Sequence, residues 1–162
     1  MLEGGMRMAA RVGIKSKAGS TGGRSTGFGS LGRALIVEDD AIIALDMADA
    51  LTDGGAEKVV ICPSISAALA ELERFKPEVL VLDVRLADRD DGWTLAELVT
   101  QLNPVPPLIV FSTGLPESIP AQAAALGHIL AKPFHPEELV RLVRLHRQKP
   151  GLIARLRGAL SL

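Results

Sequence analysis

The sequence has little from which to build a cross-linked, aromatic or strongly charged protein. Cys62 is the single cysteine among 162 residues, so no internal disulfide can form and a reducing compartment suffices. It ends an apolar run and reads as a small core residue. Tyrosine is absent and aromatics make up 3%, so the core must be aliphatic; the hydrophobic share of 48% is ample for one. No run of 18 apolar residues occurs, so no membrane span is expected. The N-terminus lacks the continuous apolar segment of a secretory signal, and a cytoplasmic location is expected. His128, His135 and His146 are scattered, so no zinc-type cluster can be assembled from the sequence. A formal net charge of −1 argues against a general nucleic-acid binder.

That near-neutral total hides an asymmetry. Residues 1–33 carry six basic groups and one acid, whereas the remainder is net −6. Residues 1–32 are rich in Gly, Ser, Lys and Arg, with AGSTGGRSTGFGSLG at 18–32. Such a composition cannot bury enough apolar surface to fold alone, and it is expected to be a disordered tail. Residues 33–148 are expected to form one domain. Residues 149–162 place Leu152, Ile153, Leu156, Leu160 and Leu162 around Arg155 and Arg157. They read as a short amphipathic tail that docks on the domain or a partner rather than on a membrane.

Between the tails, apolar runs alternate with helical periodicity. Strands are expected at Ala34–Val37, Lys58–Ile61, Val79–Leu82, Leu108–Phe111 and Ile129–Ala131. Helices are expected at Ala41–Thr52, Ile65–Phe75, Trp93–Leu102 and Pro136–His146. The segment Leu115–Leu126 is weakly helical because Pro116 and Pro120 interrupt it. Gly54-Gly55 should stop the first helix and Ser64 should cap the second. Wholly apolar strands joined by helices imply a buried parallel sheet with right-handed crossovers. The expected architecture is therefore α/β: a doubly wound five-stranded parallel sheet, whose working crevice lies beyond the carboxyl ends of the strands.

Three strands end at charged groups. Val79–Leu82 runs into Asp83, Ala34–Val37 into Glu38-Asp39-Asp40, and Ile129–Ala131 into Lys132-Pro133. Two carboxylates about 4 Å apart repel by roughly 4 kcal/mol at an effective dielectric of about 20, so a proton or a cation must fill the gap. A hard divalent ion, Mg2+ or Mn2+, suits an all-oxygen donor set. Lys132 offers a compact ammonium to a phosphoryl oxygen, and the Lys132-Pro133 bond is a candidate for the cis form. Ser112 and Thr113 place a hydroxyl at the same edge. Each feature has a plain structural alternative. Asp39 or Asp40 could cap the first helix, Asp83 could be a turn residue, and Lys132 could be a solvated charge. Asp88, Asp90 and Asp91 read as loop solvation, with Asp91-Gly92 a turn, and Trp93 reads as packing for the third helix. Three chance placements at three strand ends are harder to accept than one.

Leu35-Ile36-Val37-Glu38-Asp39-Asp40, Val81-Leu82-Asp83-Val84-Arg85-Leu86, Asp91-Gly92, Phe111-Ser112-Thr113-Gly114 and Lys132-Pro133-Phe134, in this order, resemble the receiver domain of two-component response regulators. The resemblance implies a flavodoxin-like sheet of strand order 2-1-3-4-5. It implies that Asp83 is a phosphoacceptor from a sensor histidine kinase or a phosphotransfer protein. It further implies that Asp39 binds Mg2+ (or Mn2+) directly alongside Asp83, Glu38 through water, and Arg85 through its backbone carbonyl. Lys132 would pair with the phosphoryl group and Thr113 would be the switch hydroxyl, with Ser112 as the alternative. The chain departs from the common pattern at Ile129, where most receivers carry an aromatic, beside His128. The Phe-Ser-Thr-Gly segment is similar to a Phe-Ala-Thr-Gly subgroup that also lacks that aromatic. The segment after Gln148 is too short for a helix-turn-helix unit. A stand-alone receiver is therefore expected, signalling through a downstream protein or passing phosphate onward, without turnover of an external substrate. A phosphorylation-independent interaction module is the alternative. An aspartyl phosphatase is disfavoured because Arg85 stands where a second acid is usual.

Overall fold

In a computed structural model, residues 29–86 and 91–148 are described. Residues 1–28 of the basic tail expected over 1–32, the loop at 87–90 and the amphipathic segment 149–162 lie outside the described residues, while Leu31 is buried in the core and Gly32 opens the first strand, so the expected tail runs too far. The strands are β1 (Gly32–Val37), β2 (Ala56–Cys62), β3 (Val79–Asp83), β4 (Leu108–Thr113) and β5 (His128–Ala131). They form one sheet of order β2-β1-β3-β4-β5, with every pairing parallel. The helices are α1 (Ala41–Asp53), α2 (Ile65–Leu72), α3 (Trp93–Leu102), α4 (Ala121–Ala124) and α5 (Pro136–Gln148).

Alternation along the strands explains the three layers. Leu35, Val37, Leu80, Leu82, Ile109 and Phe111 face one side, where they pack with residues of α2, α3 and α4. Ala34, Ile36, Val79, Val81, Leu108 and Val110 face the other, where they pack with residues of α1 and α5. Central strands covered on both faces need apolar residues at every position, and β3 is buried throughout.

Local chemistry sets the boundaries. Asp40 caps α1, its Oδ1 accepting from the amides of Ile42 at 2.9 Å and Ile43 at 3.2 Å. Gly55, at φ +100°, takes the left-handed turn that releases the chain into β2. Ser64 caps α2 through Ala67 N–H at 3.1 Å. This helix ends at Leu72, three residues before its expected end. There the amides of Arg74 and Phe75 both turn back to the Glu71 carbonyl. β2 starts at Ala56, two residues before its expected start at Lys58, because Glu57 is exposed on an edge strand and carries no apolar signal. β4 continues through Ser112 and Thr113, which are buried polar residues. The Leu115–Leu126 segment holds a 3-10 turn at Pro116–Ser118 and one turn of α-helix after Pro120, as the prolines dictate.

Candidate functional site

β1, β3 and β5 all end at the same edge of the sheet, because all are parallel. There the Lys132 ammonium donates to Glu38 Oε2 at 2.7 Å and to Asp83 Oδ2 at 2.9 Å. Each carboxylate has a second, backbone partner. Glu38 Oε1 accepts from the Asp40 amide at 3.2 Å, and Asp83 Oδ1 accepts from the Arg85 amide at 2.9 Å. The Lys132-Pro133 peptide is cis.

Burial sets the electrostatics. Glu38 is 2% exposed and Asp83 6%. Desolvation pushes the Glu38 carboxyl above its ordinary value, and the nearby Asp83 charge adds to this; the hydrogen bond from Lys132 only partly offsets them. For Lys132 burial works against the ammonium, yet the hydrogen bonds to Glu38 and Asp83 outweigh it, and the pKa rises. The lysine is therefore a fixed positive charge at neutral pH.

Asp39, in contrast, is exposed. Glu38, Asp39 and Asp83 each offer a carboxylate oxygen within 4.8 Å of the others. An all-oxygen set that combines buried and solvent-facing carboxylates fits a hard divalent ion that keeps part of its water shell. No histidine or cysteine joins the group, so Mg2+ or Mn2+ suits it better than zinc. Thus Asp39 belongs to this cluster while the helix cap falls to Asp40, which separates the two alternatives left open by the sequence.

The two candidate hydroxyls sit differently. Ser112 is the residue in register with Asp83, and Thr113 is in register with Ala131. The Ser112 hydroxyl is buried with no hydrogen-bond partner among the described residues. Thr113 Oγ1 accepts from the Leu115 amide at 3.1 Å, and its carbonyl accepts from Lys132 N–H at 2.8 Å. Arg85 is exposed, and its amide donates to Asp83. Ile129 is 39% exposed on the edge strand β5. Trp93, the first residue of α3, packs against the core.

Gly92, expected as half of a turn and as part of the receiver resemblance, also lies against the site. A Cβ there would lie 2.5 Å from the Asp83 carbonyl oxygen, and its own amide donates to the Val84 carbonyl at 3.1 Å. It lets the start of α3 close against the backbone of the acid-bearing strand. The Asp-Gly pair was the signal, but a turn and a close backbone approach look identical in sequence.

The model of the response regulator receiver domain family matches residues 34–144. Among similar proteins is a sensory transduction protein LytT of Bacillus anthracis, 31% identical over 119 residues, which are 71% of this chain and 47% of that protein. A transcriptional regulatory protein PdtaR of Mycobacterium tuberculosis is 28% identical over 131 residues, 80% of this chain and 63% of that one. The chain thus spans about half to two thirds of the length of these relatives. Similar solved structures include a CheY-like receiver domain from Methylobacillus flagellatus, with TM-score 0.61 and 24% identity over 70% of this chain and 99% of that one. Another is the response regulator TrrA of Thermotoga maritima in complex with Mg(2+)-BeF, with TM-score 0.62 and 18% identity over 70% and 96%. At these identities the two structures speak for the fold.

Proposed function

This chain belongs to the response regulator receiver domain family of two-component signalling, and from that premise we propose that it accepts a phosphoryl group on Asp83. The observation that carries the proposal is the single ammonium of Lys132 held by Glu38 and Asp83 at the strand ends, with Asp39 completing the acidic group. Asp83 Oδ attacks the phosphorus of a phosphohistidine; a P–O bond forms, the P–N bond breaks, and the imidazole of the donor leaves with the bonding pair. Transfer of this kind depends on alignment and on neutralising charge rather than on acid–base chemistry. Lys132 remains protonated throughout and passes from the free Asp83 carboxylate to a phosphoryl oxygen. Asp39, Asp83, Glu38 through water and the Arg85 carbonyl would hold the divalent ion, which when bound supplies the second positive charge on the phosphoryl oxygens. Thr113 is the switch hydroxyl of this reading, because its bond to the Leu115 amide links it to the segment leading into α4.

The donor in this proposal is a sensor histidine kinase or a phosphotransfer protein, and the output is binding of another protein or onward transfer. Intact mass after incubation with acetyl phosphate and Mg2+ tests the reaction. One phosphate should be gained by the natural chain and none by Asp83→Asn. An unchanged mass with acetyl phosphate and with a phosphorylated kinase would overturn it and leave a phosphorylation-independent interaction module, the reading to which the aliphatic Ile129 lends some support.

A further inference from the structure

α1 and α5 leave a groove of about 520 Å3 between them, lined on its apolar floor by Ala50, Val140 and Leu145. Leu145 is 57% exposed, and farther along α1 Ile42 and Leu45 are 73% and 42% exposed. The α1 side is acidic. Asp46, Asp49 and Asp53 are exposed and recur at helical spacing on one stripe, and the helix contains no basic residue. On the α5 side, Arg141 and Glu137 oppose one another in charge at the rim, and Arg144 is tied across the groove to the Gly54 carbonyl at 3.1 Å.

Both helices follow parallel strands, so both run away from the Asp83 edge. α5 therefore ends at Gln148, itself part of the groove lining, at the edge remote from Asp83. The chain continues with Lys149-Pro150-Gly151, a strong turn signal. Three residues reach up to about 10 Å, the separation of packed helices. Beyond the turn, Leu152, Ile153, Leu156 and Leu160 share one helical stripe, and Arg155 and Arg157 flank it on either side. Residues 152–162 in helical form measure about 16 Å, close to the roughly 20 Å of α5. Gly158 weakens such a helix in isolation, so its ordering depends on a surface.

We propose that segment 152–162 of the same chain folds back as a helix into the α1–α5 groove. Its leucine stripe lies on Val140, Leu145 and Ala50, and its arginines face the aspartates of α1. Its far end then reaches Ile42 and Leu45, beside Asp39 and the acidic edge. The groove thereby has an occupant matched in polarity and charge, independent of whether Asp83 is phosphorylated.

Nuclear magnetic resonance on the full chain tests this with a spin label at Ser161→Cys; Cys62 is 3% exposed and stays unlabelled. The amides of Ile42, Leu45 and Asp46 should lose most of their intensity, while those of Leu98 and Leu102 on α3 keep it. Arg155→Glu with Arg157→Glu should restore the α1 signals. Equal intensity on α1 and α3, or no response to the charge reversal, overturns the proposal. So does broadening of an isotope-labelled chain by a separate spin-labelled chain, which would assign the groove to a second copy. Broadening of α1 by a label at Ser25→Cys, but not at Ser161→Cys, would assign it to the N-terminal segment and likewise overturn the proposal.

Discussion

Glu38 and Lys132 form the shorter of the two ion pairs in the acidic edge, at 2.7 Å, although 94 positions separate them in the chain. The lysine partly offsets the burial that drives Glu38 toward protonation, and the same ammonium reaches Asp83. Lys132→Met should therefore leave two buried carboxylates facing each other. In the absence of divalent ions the variant should lose about 1–3 kcal/mol in urea unfolding. This is less than a fully buried pair would lose, because the Lys132 side chain is 22% exposed. Its Mg2+ affinity, read by calorimetry, should rise, since a competing cation has gone, while phosphate labelling falls.

Gly92→Ala should be destabilising by about 1–3 kcal/mol, the usual cost of forcing a methyl group into a packed site. The added carbon would meet the Asp83 carbonyl at 2.5 Å. Labelling from acetyl phosphate should fall with it, because the displaced backbone carries the acceptor. Thermal unfolding and intact mass check the two effects separately.

Ser112→Ala and Thr113→Ala should differ in sign. The Ser112 hydroxyl is buried without a partner among the described residues, so its removal should be neutral or should stabilise by about 1 kcal/mol. Thr113→Ala removes the acceptor of the Leu115 amide and should destabilise by about 1 kcal/mol. It should also weaken binding of an output partner to the phosphorylated chain. If Ser112→Ala, and not Thr113→Ala, abolishes that response, the switch assignment moves to Ser112.

Glu78 gives a pH signature. The Arg33 backbone amide donates to it at 3.0 Å, and Arg147 approaches at 3.2 Å. The amide bond, against the opposing effect of burial, holds its carboxyl below the ordinary 4.5. A lowered folded-state pKa means stability that is present above about pH 4.5 and lost as pH falls through the folded value. Glu78→Gln should therefore be less stable than the natural chain at pH 7, by about 0.5 kcal/mol for so exposed a group. The difference should vanish in strong acid, as denaturant titrations at several pH values would show.

Cys62 supplies a probe of opening. Burial first, then the Glu71 charge, pushes its thiol up to about 11. At neutral pH it should react with a disulfide reagent only through unfolding, and the labelling rate should rise steeply across the urea transition.

The sheet was legible in sequence because β1, β3 and β4 are central strands. Burial on both faces forces runs such as Val79–Leu82, which read as strand because they are short, valine-rich and bounded by Pro77 and Asp83. Edge strands carry less information: the expected Lys58–Ile61 is three residues shorter than β2, lacking Ala56 and Glu57 at its start, where Glu57 faces solvent, and Cys62 at its end. The charged strand ends were legible for the same reason as the strands: Glu38, Asp83 and Lys132 each interrupt an apolar run at its last position. Distances were not legible. Nothing in the spacing tells that Lys132 bridges Glu38 as well as Asp83, or that Asp40, and not Asp39, spends its side chain on the helix cap. The close approach of Gly92 is not legible because its neighbour across space, the Asp83 carbonyl, lies on another element.

The bond from Lys132 N–H to the Thr113 carbonyl, at 2.8 Å, has a bearing on how a signal could leave the acidic edge. It staples the main chain of both residues together, so neither tip can swing without tearing a rung. Rearrangement at these two positions is confined to side-chain rotation. The next residue outward is Gly114, where an added side chain would meet no atom within 4 Å, and the bond from the Leu115 amide to the Thr113 hydroxyl bridges it.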